Sequence, residues 1–304
     1  MRSNPCSSDM TIDDLPDHLI GAIMTQKEGG RLNACFNVSR LFRKVTMESV
    51  TDVVFDKSST SPPLFLAALT NLRSVCCKSI TMLDLSQLAS SCPALTSLDC
   101  SFTYLHDLRP LASSCPHLNT LECNLTAVND LSPLAACTAL HTLKCSCTKV
   151  HDLSPLASCA ALQTLYCSST PVHDLSPLAS CAALQDLNCG NTNVQDLAPL
   201  ASCSSLKILD FRRTQVSDLS PLAACTDLAS LDFSFTGITS LAPLASCKAL
   251  TSINCRYTGV TDLTPLASCR SLTSLDINKS NGIDDIDVSP LCLAACPLLT
   301  IVEH

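Results

Sequence analysis

The chain has 304 residues, a net charge of −8 and a composition rich in Leu, Ala, Ser, Cys and Asp, with 4% aromatic residues and no Trp. A single core rarely grows beyond about 250–300 residues, so this length with this bias indicates one short unit copied many times. The negative charge disfavours nucleic acid as a partner, because neutralising phosphates needs a basic surface. No stretch approaches the roughly 18 apolar residues of a membrane span, so no transmembrane segment is expected.

The first fifty residues differ from the rest of the chain. Residues 1–11 are predicted to be a disordered N-terminus, and the acids up to Asp14 stand where a signal peptide would need an apolar run. Two apolar runs at helical spacing follow, separated by Gly29-Gly30. They are Leu19, Ile20, Ile23 and Met24, and then Leu32, Cys35, Phe36, Val38, Leu41 and Phe42. Residues 12–48 are therefore predicted to form a small helical module.

This module resembles the F-box. It opens with Leu15-Pro16-Asp17 and closes with V-x-R-x-F-R at residues 38–43, although His18 replaces the usual acid and TQKEGG replaces a Leu- and Pro-containing turn. The resemblance implies binding to the Skp-type adaptor of a cullin–RING ubiquitin ligase, with the rest of the chain selecting a substrate. The residues that would contact the adaptor are Leu15, Pro16, Leu19, Ile20, Ile23, Val38 and Phe42. Alternatively, the two helices only cap the first apolar end of the repeats.

A repeat of 22 residues fills the chain from residue 50, with two units of 23 and a final one of 26. The opening residues are Val50, Leu72, Leu95, Leu118, Leu140, Leu162, Leu184, Leu206, Leu228, Leu250 and Leu272, and a half-unit begins at Leu298. One unit cannot bury its own apolar residues, so the units must stack. At the strand spacing of about 4.8 Å, eleven units would make a parallel sheet roughly 50 Å long.

The unit at 162–183, LQTLYCSSTPVHDLSPLASCAA, shows how each coil is built. Leu165 and Cys167 alternate with period two, as an inward-facing strand requires. Three further apolar residues supply the other walls of the coil, namely Val172, Leu175 and Leu178. Ser176 followed by Pro177 predicts an N-cap with Pro at the first helical position, so PLASCAA is predicted to be one short helix or 3₁₀ turn.

This unit resembles the leucine-rich repeat, with Cys at the third core position and Thr at the usual Asn position, and its D-L-S-P-L segment is similar to the 22-residue repeats of internalin-like proteins. The resemblance covers residues 50–304. It implies an α/β solenoid: a right-handed coil with a parallel sheet on its concave side, preceded by the N-terminal helical module, with eleven units and a terminal half-unit.

Most of the 22 cysteines fall into two ladders. The strand ladder is Cys77, Cys100, Cys123, Cys145, Cys167, Cys189 and Cys255, and the convex ladder is Cys92, Cys115, Cys137, Cys159, Cys181, Cys203, Cys225, Cys247, Cys269 and Cys296. Phe211, Phe233 and Ile277 replace the strand cysteines, which indicates an apolar filler. Zinc with His106, His151 or His173 is the weighed alternative, but parallel side chains do not converge as a zinc site requires. Disulfides along a ladder are disfavoured by the strand spacing. No metal or cofactor is expected.

A third ladder places an Asp before each convex turn, at Asp107, Asp130, Asp152, Asp174, Asp196, Asp218 and Asp262. Calcium binding is one interpretation. The favoured interpretation is that each carboxylate accepts hydrogen bonds from its own tight turn.

The candidate partner surface lies on outward strand positions and the residues just after them, in the units from Leu206 to Leu272. It comprises Asp210, Arg212, Arg213, Asp232, Phe235, Arg256, Tyr257 and Asp276. Arginine and aromatic residues beside carboxylates are typical of interface anchors. The middle of the solenoid, around Ser146, Ser168 and Asn191, carries no such residues.

Two functions remain open, and neither is enzymatic, since no nucleophile–base pair or phosphate loop stands out. The first is the substrate-recognition adaptor of a cullin–RING ligase. The second is a free-standing cytosolic scaffold or inhibitor, similar in logic to the Cys-rich ribonuclease inhibitor. An internalin-type adhesin is disfavoured by the missing export signal and the unpaired cysteines, which together predict a cytoplasmic or nuclear location.

Overall fold

The computed structural model describes residues 51–54, 71–79, 85–277 and 299–303. The predicted N-terminal segment 1–11 and the helical module 12–48 lie outside the described residues, as do all seven residues of the predicted adaptor contact. The F-box interpretation therefore stays a prediction from sequence.

The described residues form one parallel sheet of twelve strands in chain order. The strands are β1 (Asp52–Val54), β2 (Ser74–Cys76), β3 (Ser97–Asp99), β4 (Thr120–Glu122), β5 (Thr142–Lys144), β6 (Thr164–Tyr166), β7 (Asp186–Asn188), β8 (Ile208–Asp210), β9 (Ser230–Asp232), β10 (Ser252–Asn254), β11 (Ser274–Ile277) and β12 (Thr300–Glu303). Each strand pairs with the equivalent residues of the next, as in Leu165 beside Leu187. The sequence therefore coils once per unit, and the predicted solenoid with its parallel concave sheet is confirmed.

A short helical segment on the convex side follows most strands. Two are α-helices, α1 (Leu85–Ser91) and α2 (Arg109–Ser114). The later ones are 3₁₀ turns at Ser132–Ala136, Ser154–Ser158, Ser176–Ser180, Ala198–Ser202, Ser220–Ala224, Ala242–Ser246 and Thr264–Ser268. Each of these 3₁₀ turns spans five residues, in keeping with the short length at which this tight helix occurs.

Each coil buries the apolar residues that its pattern predicts. Leu165 is fully buried between half-exposed Thr164 and Tyr166, so the strand register is confirmed. The predicted walls Val172, Leu175 and Leu178 are also buried. Because these positions repeat in every coil, the core is one continuous cluster that runs the length of the solenoid.

The predicted N-cap is wrong by one residue. The 3₁₀ turn begins at Ser176 itself, Leu175 occupies the N-cap position, and no side chain of the N-cap residue caps the turn. Instead Asp174 accepts hydrogen bonds from the Ser176 backbone N–H at 2.8 Å and from its hydroxyl at 2.7 Å. Because the Asp lies two residues before the N–H from which it accepts, the N-cap position itself can hold an apolar residue, Leu175, which enters the core. The turn also ends at Ser180, earlier than predicted.

The same bond recurs along the third ladder, so the turn interpretation of these carboxylates is confirmed. The donor is in each case the backbone N–H two residues on, for Asp107, Asp130, Asp152, Asp174, Asp196, Asp218 and Asp262. The backbone and side-chain hydrogen bonds from Ser176 lower the pKa of Asp174. The Asp ladder thus stabilises the ends of the convex turns.

A Thr ladder closes the turn after each strand. Thr170, nearly buried, donates its hydroxyl to the Cys167 carbonyl oxygen at 2.6 Å. Equivalent bonds are made by Thr103, Thr126, Thr148, Thr192, Thr214, Thr236 and Thr258. Thr therefore satisfies, at the usual Asn position, a backbone carbonyl that would otherwise lie unpaired in the interior.

We predict that Leu165→Ala destabilises the solenoid by about 2–5 kcal/mol, because it removes a fully buried side chain from a continuous core. Gln163→Ala, two residues away on an exposed position, is the matched control and should change the free energy of unfolding by less than about 0.5 kcal/mol. Urea denaturation followed by circular dichroism measures both, and equal midpoints would contradict the register.

Candidate protein-binding surface

Polar residues on the outward side of the strands are largely paired with one another. The Lys144 ammonium lies 2.8 Å from Glu122 on the preceding strand. The Tyr166 hydroxyl donates to Asp186 on the following strand at 2.7 Å, and this bond, more than burial, raises the pKa of the tyrosine to about 12. From β4 to β7 the concave face is thus a self-satisfied polar network, with few free groups for a partner.

The next strands carry a partly buried ion cluster. Arg212 lies between two carboxylates, with Nε 3.5 Å from Asp210 Oδ2 and Nη1 3.8 Å from Asp232 Oδ2. Desolvation by burial raises the pKa of Asp210, partly offset by its contacts with Arg212. Gly190 makes room for this arrangement, because a Cβ there would lie 3.1 Å from both the Arg212 side chain and an Asp210 oxygen.

Two asparagines and a second ion pair complete the cluster. Asn188 donates to Asp210 at 3.1 Å and Asn254 donates to Asp232 at 3.0 Å. Arg256 Nε lies 3.7 Å from Asp276 Oδ1. Asp210 and Asp232 thus each lie near Arg212 and an asparagine, and Asp276 lies near Arg256.

A row of residues just after the strands adopts the left-handed backbone conformation. We call this the edge row: Ser79, Phe102, Leu125, Cys147, Ser169, Asn191, Arg213, Phe235 and Tyr257, with φ between 53° and 67°. The backbone N–H of Phe235 donates to the Arg256 carbonyl oxygen of the next coil at 2.8 Å, and most of the row repeats this bond. The sequence does not signal this conformation, since bulky residues adopt it rarely.

Three members of the edge row form a stack, which we call the ring stack: Arg213, Phe235 and Tyr257. The Arg213 guanidinium carbon lies 4.1 Å from the centre of the Phe235 ring, and the Phe235 and Tyr257 ring centres are 4.3 Å apart at an interplanar angle of 20°. The rings remain 40% and 41% exposed. All eight residues of the predicted partner surface thus lie on four adjacent coils, and Arg212 and the ring stack are their exposed members.

A second exposed apolar group lies toward the other end of the edge row, where the sequence suggested no site. It consists of Phe102, Tyr104 and Leu125, with Phe102 53% exposed. Lys78 lies 6.0 Å from the Phe102 ring centre but also pairs with Asp99 at 3.2 Å. Tyr104 and the exposed Ile208 of β8 were missed because isolated apolar residues carry no sequence signal of exposure.

The described cysteines are free thiols and act as packing groups. In the convex ladder, Cys181 Sγ lies 3.5 Å from the Leu156 carbonyl oxygen of the preceding coil. In the strand ladder, burial raises the pKa of Cys167 to about 12, so the thiol stays protonated. Within the described residues no group of three or more His, Cys, Asp or Glu could hold a metal ion. His106, His151 and His173 are exposed there.

The comparisons place this geometry in a known fold. A family model for leucine-rich repeats in two copies matches residues 160–202 and 248–292. An internalin (InlF) from Listeria monocytogenes is 21% identical, with a TM-score of 0.71, covering 95% of this chain and 94% of its own. The fold is a leucine-rich-repeat solenoid. None of these comparisons supports the F-box resemblance, and the search of curated proteins finds no match.

Two further solved structures share the solenoid. Internalin C2 from Listeria monocytogenes is 24% identical with a TM-score of 0.57, covering 78% of this chain and 96% of its own. The functional domain of InlJ from the same organism, which includes a cysteine ladder, is 21% identical with a TM-score of 0.60, covering 86% of this chain and 64% of its own. At these identities the likeness concerns the solenoid fold. Among the described residues, no helix has the length and apolar character of a membrane span.

We predict that Cys147, the exposed cysteine of the edge row, reacts with Ellman's reagent in the folded protein while the ladder cysteines react only on unfolding. Cys147→Ser should remove one fast-reacting thiol. Cys167→Ser, the buried control, should remove one that appears only in denaturant. A fast phase unchanged by Cys147→Ser would contradict the exposure of this side chain.

Proposed function

We propose that the chain is a protein-recognition solenoid that holds its partner at the ring stack, on the border of the concave sheet, without catalysing a reaction. The observation that carries the proposal is the exposure of a rigid arginine–aromatic stack at backbone positions that disfavour bulky residues. Arginine and aromatic residues are enriched among the residues that carry most of the binding energy of protein interfaces, and aromatic rings bury large areas at low entropic cost.

Backbone strain argues that the ring stack is kept for binding rather than for folding. Bulky residues in the left-handed conformation cost roughly 1–2 kcal/mol, and the same turn accepts Ser169 and Asn191 in earlier coils. The aromatic rings of Phe235 and Tyr257 stay 40% and 41% exposed, so burial returns only part of this cost. Phe102 and Leu125 share this conformation, and the ring stack differs from them because an arginine and two rings in succession lie against one another.

The internal pairing of the acids supports the same assignment. Arg212 lies between Asp210 and Asp232, and the members of the ring stack are held by contact with one another. Fixed anchors lose less entropy on binding than mobile ones. Asp210, Asp232 and Asp276 thus support the site, while Arg213, Phe235 and Tyr257 would make the contacts.

The narrower role of a ligase adaptor rests on residues 12–45 alone. The Leu15-Pro16 opening supports it, and the likeness of the repeats to internalins fits the free-standing scaffold equally well. The Skp-type adaptor, the cullin and the cytoplasmic or nuclear location therefore stay predictions.

The ring stack is tested by variants that remove the rings and also relieve the strained backbone. We expect Phe235→Gly with Tyr257→Gly to abolish partner capture while the free energy of unfolding stays within about 1 kcal/mol per site of wild type, because relieved strain offsets lost packing. The measurement is quantitative affinity capture from the lysate of the source organism, together with urea denaturation.

Phe102→Gly is the matched control, since Phe102 is a bulky exposed residue of the same edge row with φ 61°. Proteins kept by Phe102→Gly and lost by the double variant define the partner. If both variants retain the same proteins as wild type, or lose the same ones, the ring stack is not the binding site.

For the F-box interpretation, we predict that the purified full chain binds a Skp-type adaptor and that changing Leu15 and Pro16 to Ala abolishes this binding while circular dichroism stays unchanged. A few apolar anchors carry most of the energy of helix docking, so two truncations suffice. A wild-type chain that fails to bind the adaptor contradicts the ligase role and favours the capping alternative.

A further inference from the structure

The three arginines in and around the ring stack differ in the ion pairs that they make with carboxylates. Arg212 contacts two aspartates and Arg256 contacts one. Arg213 makes no ion pair with any carboxylate of the described residues, and its guanidinium carbon lies 4.1 Å from the centre of the Phe235 ring. Of the three arginines, Arg213 is thus the one whose charge no carboxylate in the described part of the chain balances, and stacking occupies only a face of its guanidinium.

The exposed part of the Phe235 ring also favours negative charge. Arg213, Phe235 and Tyr257 occupy successive coils, so Arg213 and Tyr257 lie on opposite faces of the Phe235 ring. The part of Phe235 that stays exposed is therefore its edge. Ring edges carry the positive side of the aromatic quadrupole, whereas the faces carry the negative side. The surface of the ring stack offers the Arg213 guanidinium beside the edge of the Phe235 ring, an arrangement that attracts negative charge.

Long-range electrostatic attraction would not bring an anionic partner to this site, because the chain carries a net charge of −8. An anion must be recognised at short range, where the planar fork of an arginine binds a carboxylate by two parallel hydrogen bonds. The aromatic rings next to it add apolar area for the neighbouring residue of the partner.

We propose that the partner presents the carboxylate of an Asp or Glu, flanked by an apolar residue, to Arg213 and the exposed ring edges. This inference rests on the proposed function, because it names the chemistry that the ring stack selects. The carboxylate pairs with the Arg213 guanidinium, and the apolar neighbour covers Phe235 and Tyr257.

The test is selection of a random-sequence peptide library displayed on phage against the full chain. Selected peptides should carry Asp or Glu beside an apolar residue. A synthetic selected peptide should lose about tenfold or more in affinity for Arg213→Gln, as expected for a hydrogen bond to a charged group. Changing the Asp or Glu of the peptide to its amide should cause the same loss of affinity. When this changed peptide is measured against Arg213→Gln, little further loss should follow. Arg213→Lys should keep only part of the affinity, because it lacks the planar fork.

Lys207→Gln is the control for charge alone, since Lys207 is exposed in the same coil and bonds to Gln185 rather than to the ring stack. A loss for Lys207→Gln equal to that for Arg213→Gln overturns the inference. Selected peptides that require Phe235 and Tyr257 but carry no acid overturn it while sparing the proposed function. Absence of any peptide that depends on Phe235 overturns the proposed site itself.

Discussion

The backbone bond between successive coils is the constraint on which the rest of the structure depends. Cys167 donates its N–H to the Asn188 carbonyl oxygen at 2.8 Å, and Ser169 donates to Gly190 at 2.9 Å. One coil cannot satisfy these groups or bury its leucines, so each requires the next. A spacing of 22 residues then places every side chain directly beside its equivalent, at about the strand separation of 4.8 Å.

Stacking of equivalent residues turns each position of the repeat into a ladder. Positions that only hold the coil together keep one residue type: Leu in the core, Thr after the strand, and Asp before the convex turn. Positions that do not hold the coil together vary from coil to coil. The edge row is one such set, with residues that range from Ser169 to Tyr257, so a ladder of identical turns can carry a distinct surface there.

The period of the repeat and the residue types in it predict the structural features that lie within one unit. The buried Leu165, the Asp174 turn and the strand ladder of cysteines could all be read from the pattern. The placement of Arg212 between Asp210 and Asp232 could not, because it depends on which way a long side chain turns between coils. The left-handed conformation at Phe235 could not be predicted either, because no Gly or Asn occupies this position.

The edge row combines the two demands that the fold and the partner make on the same residue. Its N–H must donate to the next coil, which fixes the left-handed conformation, while its side chain points out of the coil and makes no contribution to the core. Serine or asparagine meets the first demand with less strain than a ring does. On the proposed function, an arginine and two rings in succession, stacked at 4.1 Å and 4.3 Å, serve the second demand. The edge row is thus where the repeat keeps one backbone conformation and leaves the side chain free to differ from coil to coil.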